Sequence, residues 1–216
     1  EITTRLVGSE MCIRDSPITP ATVILEELAK RKDLGVKTVQ AEDEIAGICT
    51  AIGASFAGNF AVTTTSGPGL SLKSEALGLA VMTELPLVVV DVQRGGPSTG
   101  LPTKTEQSDL QQALYGRNGE SPVAVIAASM PSDCFHYAFE AGRIAMEHMT
   151  PVVLLSDGFI ANGSEPWKIP SMKDYPTINP PIIDKTEDGG PFMPYARNEK
   201  LARSCLLYTS PSPRDA

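Results

Sequence analysis

Short apolar runs alternate with longer amphipathic segments along most of the chain. Four runs rich in aliphatic and β-branched residues have the length of buried strands: 60–65, 86–92, 123–127 and 151–155. Three longer segments repeat their apolar residues at helical spacing: 43–57, 70–82 and 131–148. Alternating buried strands and helices are typical of a parallel sheet with crossover helices. The pattern therefore predicts an α/β fold, a parallel-sheet three-layer sandwich.

Capping residues, prolines and glycines predict where several elements begin and end. Thr19 followed by Pro20 is typical of a helix N-cap with proline in the first turn. The Ser-Gly-Pro-Gly sequence at 66–69 predicts a turn. A loop rich in glycine and proline at 94–105 comes before a helix expected at 107–115.

Prolines and glycines become dense after residue 161, where helical and strand periodicity ends. These residues interrupt both helices and strands, so few packed elements are expected there. We expect 16–161 to form one domain and 162–204 to be an irregular, extended linker toward a C-terminal domain that this chain lacks.

The two ends of the chain are predicted to differ in origin from the rest. One permitted choice of codons for 205–215 has a reverse complement that encodes residues 6–15 when it is read two bases in. A single DNA stretch in opposite orientations would therefore produce both ends, as a translated sequencing adapter would. We expect 1–15 and 205–216 to be non-native and the native fragment to span 16–204.

The charge balance and the cysteines exclude several classes of protein. With 18 Lys and Arg against 26 Asp and Glu, the net charge is −8, which argues against nucleic-acid or anionic-membrane binding. No apolar run reaches the ~18 residues of a membrane span. The four cysteines form no C-x-x-C pair, so no metal site is predicted and the reducing cytoplasm is the expected location. Cys49 and Cys134 fall within helical patterns and are expected in the core.

Candidate functional residues lie in loops after predicted strands, where open parallel sheets bind their ligands. Glu42 comes just before a predicted helix, although acidic residues at this position also complement the helix dipole. Arg94 comes before two glycines and is equally compatible with a surface arginine on a flexible loop. The turn at 66–69 has neither G-x-G-x-x-G nor a Walker lysine, so it does not predict phosphate binding.

In combination these motifs resemble a known family. The segment from Glu42 through the Ser-Gly-Pro-Gly turn is similar to the pyrimidine-binding domain of thiamine-diphosphate enzymes. Closer similarity is to the alpha subunit of 2-oxoacid:ferredoxin oxidoreductases, the 2-oxoglutarate type in particular. It rests on SPITPAT at 16–22, QAEDE at 40–44, TSGPG at 65–69 and DVQRGGPSTGLPTKTEQSDL at 91–110. The family has Tyr where Ser16 stands, and a codon split between adapter and insert explains the difference, so Tyr is the expected native residue.

The resemblance implies roles for three residues in catalysis and substrate binding. The Glu42 carboxyl would hydrogen-bond N1′ of the aminopyrimidine, and we expect it to be buried against an apolar ring. Arg94 would bind the carboxylate of the 2-oxoacid, a role that suits the two parallel donors of a guanidinium. Thr19 would help to hold the carboxylate and keto oxygen beside the cofactor.

The resemblance also implies a cofactor-binding role for Ser66, Gly67 and Gly69, with the glycines allowing the backbone to approach the cofactor ring closely. Lys104 is a further candidate, for the distal carboxylate of 2-oxoglutarate. An alternative is that this segment only starts a helix, because Thr103-x-x-Glu106 matches a capping box.

The family's activity implies cofactors and partners beyond this chain. The fragment contains neither a G-D-G…N pattern nor a cysteine cluster. Mg²⁺, the diphosphate of thiamine diphosphate and a [4Fe–4S] cluster are therefore expected on a beta subunit. The expected reaction converts 2-oxoglutarate and coenzyme A to succinyl-CoA, with electrons passed to ferredoxin. Alternatives are a pyruvate or branched-chain 2-oxoacid enzyme, a non-redox thiamine decarboxylase or carboligase, and a catalytically silent α/β assembly subunit.

Overall fold

The computed structural model describes residues 11–183 and 193–204. In chain order the elements are β1 Met11–Asp15, α1 Thr22–Ala29, β2 Lys37–Gln40, α2 Glu44–Phe56, β3 Phe60–Thr65, α3 Gly67–Met82, β4 Leu87–Gln93, α4 Leu110–Tyr115, β5 Ala124–Ala127, α5 Asp133–His148, β6 Pro151–Asp157, α6 Gly158–Asn162, β7 Ile182–Ile183 and β8 Arg203–Ser204. Short 3₁₀ turns lie at Lys32–Leu34 and Met172–Asp174. The segment predicted to be non-native at 205–216, like residues 1–10, lies outside the described residues.

Six of the strands form one sheet in the order β2-β1-β3-β4-β6-β5, and every neighbouring pair is parallel. Parallel strands need crossover connections, which here are mostly the helices between consecutive strands. The predicted α/β class with a parallel sheet is therefore confirmed. Within the described residues, every helix is too short or too polar to cross a membrane.

Alternating side chains of the central strands divide the core into two layers. On one face, Leu87 and Val89 of β4 pack with Leu70 and Leu77 of α3. On the other face, Val88 belongs to the cluster that contains residues of α5. Because both faces of the sheet are covered, 87–90 of β4 and 151–155 of β6 are apolar without alternation. The molecule thus has the three layers that the sequence predicts.

Two predicted helix starts are wrong. The Ser-Gly-Pro-Gly sequence is not a turn, because α3 begins at Gly67 with Ser66 as its N-cap and Pro68 in its first turn. Thr19 does not cap α1, which begins at Thr22 after Ala21. The amide of Thr22 instead donates to the carbonyl of Ile18, so Thr19 lies within the turn that leads into the helix.

Two further expectations are wrong, one for the burial of Cys49 and one for the start of the helix expected at 107–115. Cys49 is exposed on α2 and is not part of the core, whereas Cys134 is half-buried. The helix expected at 107–115 begins only at Leu110, and residues 101–109 form no helix. The capping-box alternative for Thr103 and Glu106 is therefore excluded.

The extended segment after α6 packs back onto the domain. Trp167 contacts Phe135 of α5 at a ring distance of 5.2 Å, and Tyr175 contacts Phe139 of α5 at 4.7 Å. Farther along, buried Arg203 donates to the backbone carbonyl of Glu84 at 2.8 Å. That this segment is a linker toward another domain stays a prediction.

Strand β1 consists of residues predicted to be non-native. Met11–Asp15 lies between β2 and β3, where Cys12 and Ile13 are buried, so these residues fill the position of a strand. The strand ends in the fully buried carboxyl of Asp15, which accepts from Thr64 Oγ1 and lies 4.0 Å from Lys73 Nζ. Their adapter origin stays a prediction, but a buried carboxyl at this strand position carries a cost.

We expect this cost to depend on pH. Burial raises the pKa of Asp15 from its ordinary value of 3.8 to about 6, although Thr64 and Lys73 act in the opposite direction. For an acid whose pKa rises on folding, the stabilising contribution is complete below about pH 4 and is lost as the pH rises through 6. Asp15→Asn should therefore stabilise this chain by on the order of 1–3 kcal/mol at pH 7 and by little at pH 4. Thermal unfolding of both chains across this range measures the difference, and a pH-independent difference would contradict the expectation.

Candidate active site

All the sequence-predicted site residues lie at one edge of the sheet. Since the six strands are parallel, the loops that follow β1, β2, β3, β4 and β6 leave the sheet at the same edge. The register agrees, because Asp15 lies opposite Gln40 and Gln93 lies opposite Asp157. This is the edge at which open α/β sheets bind ligands.

A pocket of about 290 Å³ opens at this edge. It brings together three residues that the sequence predicted to bind substrate, Thr19, Arg94 and Lys104. The remaining lining residues come from α1 and the turn before it, the end of β4, the loop before α4, and α6: Pro20, Thr22, Val23, Gln93, Pro102, Thr103, Thr105, Gly158 and Asn162. Two cationic side chains thus share a small, partly apolar pocket.

The guanidinium of Arg94 is fixed by backbone carbonyls. Arg94 is only 8% exposed. Its two terminal nitrogens donate to the carbonyls of Thr19 and Thr99, each at 2.7 Å. Its Nε is buried and has no partner among the described residues. The side chain therefore has a set orientation and a donor left for an acceptor such as a carboxylate.

Lys104 lies in a loop that is closed by hydrogen bonds between the loop's own backbone groups. We call residues 94–108 the Arg94 loop. The amide of Gly95 donates to the carbonyl of Lys104 at 2.7 Å, and the amide of Leu101 donates to the carbonyl of Gly95 at 2.9 Å. Gly100, at φ +55°, lies so close to the Gly95 carbonyl that a side chain would clash. These contacts place Arg94 and Lys104 on the same short, folded loop.

Two buried polar side chains, Gln93 and Asp157, hold the Arg94 loop against the sheet, and neither was predicted from the sequence. Gln93 donates from Nε2 to the carbonyl of Ser156 at 3.1 Å and accepts from the amide of Asp109 at 2.9 Å. Gln107 donates to Asp157 Oδ2 at 2.6 Å. The available signal was the presence of amide and carboxyl side chains at the ends of buried strands.

Glu42 lies outside the pocket. It is exposed and comes one residue before Asp43, which caps α2 by accepting from the amide of Ala46 at 2.7 Å. The burial expected for Glu42 is therefore not provided by the described part of this chain. The segment that follows Glu42 does contact the start of α3. A Cβ built on Gly69 would lie only 2.8 Å from Glu44 Cγ, so these two residues pack closely.

Packing within the chain explains the two glycines of the predicted cofactor motif. A Cβ on Gly67 would lie 2.8 Å from Asp109 Oδ2, and a Cβ on Gly69 would clash with Thr65 Oγ1. Packing within the chain therefore requires glycine at both positions. Ser66 is fully buried, and its hydroxyl has no partner among the described residues. The predicted cofactor-binding roles of Ser66, Gly67 and Gly69 stay predictions.

A buried lysine connects the start of α2 to β3 and α3. Lys73 of α3 is fully buried, and its Nζ donates to the carbonyl of Glu44 and to Thr63 Oγ1, each at 3.2 Å. Burial lowers the pKa of this ammonium, while Asp15 and Glu44 oppose the change. Through the Glu44 carbonyl, Lys73 ties the first turn of α2 to α3.

Comparison with known proteins assigns the chain to a family. The family model described as pyruvate flavodoxin/ferredoxin oxidoreductase, thiamine diphosphate-binding, matches residues 13–207. The chain belongs to this family. The matched range begins within 1–15 and ends within 205–216, and the predicted adapter origin of these segments stays a prediction.

Relatives of this family are similar over most of the chain. The 2-oxoglutarate oxidoreductase subunit KorA of Mycobacterium tuberculosis is 62% identical over 208 residues, which cover 96% of this chain and 31% of the relative. The 2-oxoglutarate synthase subunit KorA of Archaeoglobus fulgidus is 39% identical over 87% of this chain and 58% of its own length.

A solved structure shows the same fold. It is a 2-oxoglutarate:ferredoxin oxidoreductase from Magnetococcus marinus with 2-oxoglutarate, coenzyme A and succinyl-CoA bound, and it matches with a TM-score of 0.84 at 40% identity. The match covers all of this chain and 36% of that chain. The chain thus spans about a third of that structure's chain and of the Mycobacterium relative. The predicted resemblance and the thiamine-diphosphate-binding fold are confirmed.

Proposed function

We propose that this chain is part of the alpha subunit of a thiamine-diphosphate-dependent 2-oxoglutarate:ferredoxin oxidoreductase. The observation that carries the proposal is the pocket that joins Thr19, Arg94 and Lys104 in a chain 62% identical to a 2-oxoglutarate oxidoreductase subunit. The proposed reaction is the oxidative decarboxylation of 2-oxoglutarate to succinyl-CoA, with electrons passed to ferredoxin.

Arg94 is proposed to bind the carboxylate next to the keto group. Its guanidinium is held by two carbonyls, so little conformational entropy is lost when an anion binds. The unpartnered Nε–H is a ready donor for one carboxylate oxygen. Thr19, whose carbonyl accepts from Arg94 and which lines the same pocket, is proposed to offer its hydroxyl to the same substrate group.

Lys104 is proposed to bind the distal carboxylate. The pocket contains two cationic side chains, and 2-oxoglutarate contains two carboxylates. Pyruvate and branched-chain oxoacids have no second carboxylate, so they would leave Lys104 without an anionic partner. This charge match favours 2-oxoglutarate over the alternative 2-oxoacids.

The loops beside the pocket fit the aminopyrimidine end of thiamine diphosphate. When bound, this cofactor supplies a nucleophilic carbon and an electron sink for decarboxylation. Glu42 would hydrogen-bond N1′ and move a proton there, and the unpartnered, fully buried hydroxyl of Ser66 offers a further polar contact. Gly67 and Gly69 keep the first turn of α3 tight against Asp109 and Thr65.

A partner subunit is proposed to complete the site. Glu42 is exposed, so the apolar surface expected to cover it must come from outside the described residues. Within residues 11–183 and 193–204, no group of three or more His, Cys, Asp or Glu is arranged to hold a metal ion. We place Mg²⁺, the diphosphate and a [4Fe–4S] cluster on a beta subunit, and the complex in the cytoplasm with ferredoxin and coenzyme A as partners.

The test uses the complete alpha subunit co-expressed with its beta subunit. Coenzyme A-dependent ferredoxin reduction should be much faster with 2-oxoglutarate than with pyruvate. Lys104→Met, which keeps the length of the side chain without its charge, should reduce kcat/KM for 2-oxoglutarate about 10- to 100-fold, the loss of one charge-assisted hydrogen bond, and should not reduce it for pyruvate. Equal losses for both substrates would remove Lys104 from the distal subsite. A preference for pyruvate in the unmodified complex would reject the proposed substrate.

A further inference from the structure

Two buried aspartates flank the Arg94 loop. Asp91 lies in β4, opposite Thr65 and Leu155, and none of its surface is exposed. Asp109 comes directly before α4 and is 8% exposed. Each carboxyl group lies close enough to the other to shift its pKa. A buried acid pair therefore joins the strand before the loop to the helix after it.

A hydrogen bond between these two carboxyl groups would require a proton. Among the described residues, no other group donates to either carboxyl oxygen of Asp91 or to Oδ2 of Asp109. An ionised carboxylate is only an acceptor, so two ionised aspartates have no hydrogen to share. Two like charges in contact also oppose each other's ionisation, as in other paired carboxyl groups.

Burial and nearby negative charges raise the pKa of both aspartates. Burial raises the pKa of Asp91 well above its ordinary value, and the charge of Asp109 raises it further. Burial also raises the pKa of Asp109, and the nearby charge of Glu106 adds to this, while hydrogen bonds from Asp91 and Ser108 lower it. The charged groups that act on the pair from the described residues are thus the two aspartates themselves and Glu106.

We propose that Asp91 and Asp109 share one proton and that this pair positions Arg94 by holding the two ends of its loop together. The pair can position Arg94 because its two members stand at opposite ends of the Arg94 loop. Asp91 is two residues before Gln93, and Asp109 directly follows the loop. Gln93 strengthens the closure by accepting from the amide of Asp109 at 2.9 Å. The shared proton does not depend on the proposed function, whereas the link to substrate binding rests on it.

Packing from a third element keeps the pair in place. The first turn of α3 presents Gly67 to Asp109, with 2.8 and 2.9 Å from a Cβ position on this glycine to the two carboxyl oxygens. There is no space for the pair to move toward α3. If both aspartates ionise, their repulsion therefore acts on the Arg94 loop, which lies on the solvent side of Asp109.

Infrared spectroscopy of the assembled complex tests the shared proton. At neutral pH, the difference between the unmodified complex and Asp91→Asn should contain the C=O band of a protonated carboxylic acid, shifted in D₂O. Asp109→Asn provides the same comparison if Asp91→Asn does not assemble. Absence of the band from both difference spectra at neutral pH would overturn the proposal.

The pH dependence of KM tests the positioning role. As the pH rises until the infrared band disappears, KM for 2-oxoglutarate should rise on the order of tenfold, with a smaller change in kcat. In Asp91→Asn the KM should stay flat, because an asparagine amide donates to Asp109 at every pH. The matched control Glu106→Gln removes the other carboxylate and should keep the rise.

The outcomes separate this inference from the proposed function. A KM that stays flat in the unmodified complex while the band disappears would reject the positioning role. A rise that persists unchanged in Asp91→Asn would reject it as well. A complex that does not turn over 2-oxoglutarate would refute the proposed function, and the infrared band would still decide whether the proton is shared.

Discussion

Replacing Glu42 with glutamine should reduce 2-oxoglutarate turnover by the assembled complex about 10²- to 10⁴-fold, the range measured for the loss of a general acid–base group. Glutamine keeps the length and the hydrogen-bonding oxygen of the side chain but cannot exchange a proton with N1′. Because Glu42 is exposed and caps no helix in the described part of the chain, the substitution should leave folding unchanged. Ferredoxin reduction measures turnover, and ¹H NMR of deuterium exchange at C2 of the cofactor measures its activation directly.

Asp43→Asn is a matched control for this experiment. It removes a negative charge from the adjacent residue, and asparagine caps a helix as well as aspartate does, so the bond from the amide of Ala46 is kept. This variant should keep nearly full turnover. Unchanged turnover in Glu42→Gln would instead favour the catalytically silent assembly subunit that the sequence analysis left open.

Strands that are buried on both faces were the most predictable part of the fold. The runs at 60–65, 86–92 and 151–155 are rich in apolar and β-branched residues because helices cover both faces of the sheet, and β3, β4 and β6 lie there. The start of α3 was not predictable in the same way. Gly-Pro-Gly has the composition of a turn, but Asp109 and Thr65 leave no space for side chains at Gly67 and Gly69, so tertiary packing selects glycine inside a helix.

The part of the candidate site that lies on one loop could be predicted from the sequence. Arg94 and Lys104 lie on a single segment whose motif is long, and the structure closes that segment by its own backbone hydrogen bonds. The acid pair was not predictable, because Asp91 has the pattern of a strand residue and Asp109 that of a helix start. Their contact exists only after β4 and α4 have been brought together.

The buried polar contacts also explain how the pocket keeps its shape. Arg94 connects the loop after β1 to its own loop through the carbonyls of Thr19 and Thr99. Gln93 connects β4 to β6 and to Asp109. The bonds from Arg94 to Thr19 and from Gln93 to Ser156 join segments distant in sequence, so the shape of the pocket is built into the folded domain.

Replacing Arg94 with alanine should raise KM for 2-oxoglutarate strongly and lower kcat/KM by about 30- to 1,000-fold, the usual cost of removing one member of a buried, hydrogen-bonded charge pair. Arg94→Lys keeps the charge but not the fork of parallel donors, so it should recover only part of the loss. Because alanine also leaves the carbonyls of Thr19 and Thr99 without donors, a purely structural effect has to be separated from the loss of substrate binding.

Adding guanidinium ion to Arg94→Ala separates the structural effect from the loss of substrate binding. An ion that enters the space left in Arg94→Ala can donate to both the carbonyls and the substrate carboxylate, and it should restore a measurable part of the activity by lowering KM for 2-oxoglutarate. The KM for coenzyme A should not change in either Arg94 variant, since no coenzyme A contact is assigned to this residue. An unchanged KM for 2-oxoglutarate in Arg94→Ala would remove Arg94 from the substrate site. Equal increases in both KM values would show that the arginine supports the loop and does not bind the carboxylate.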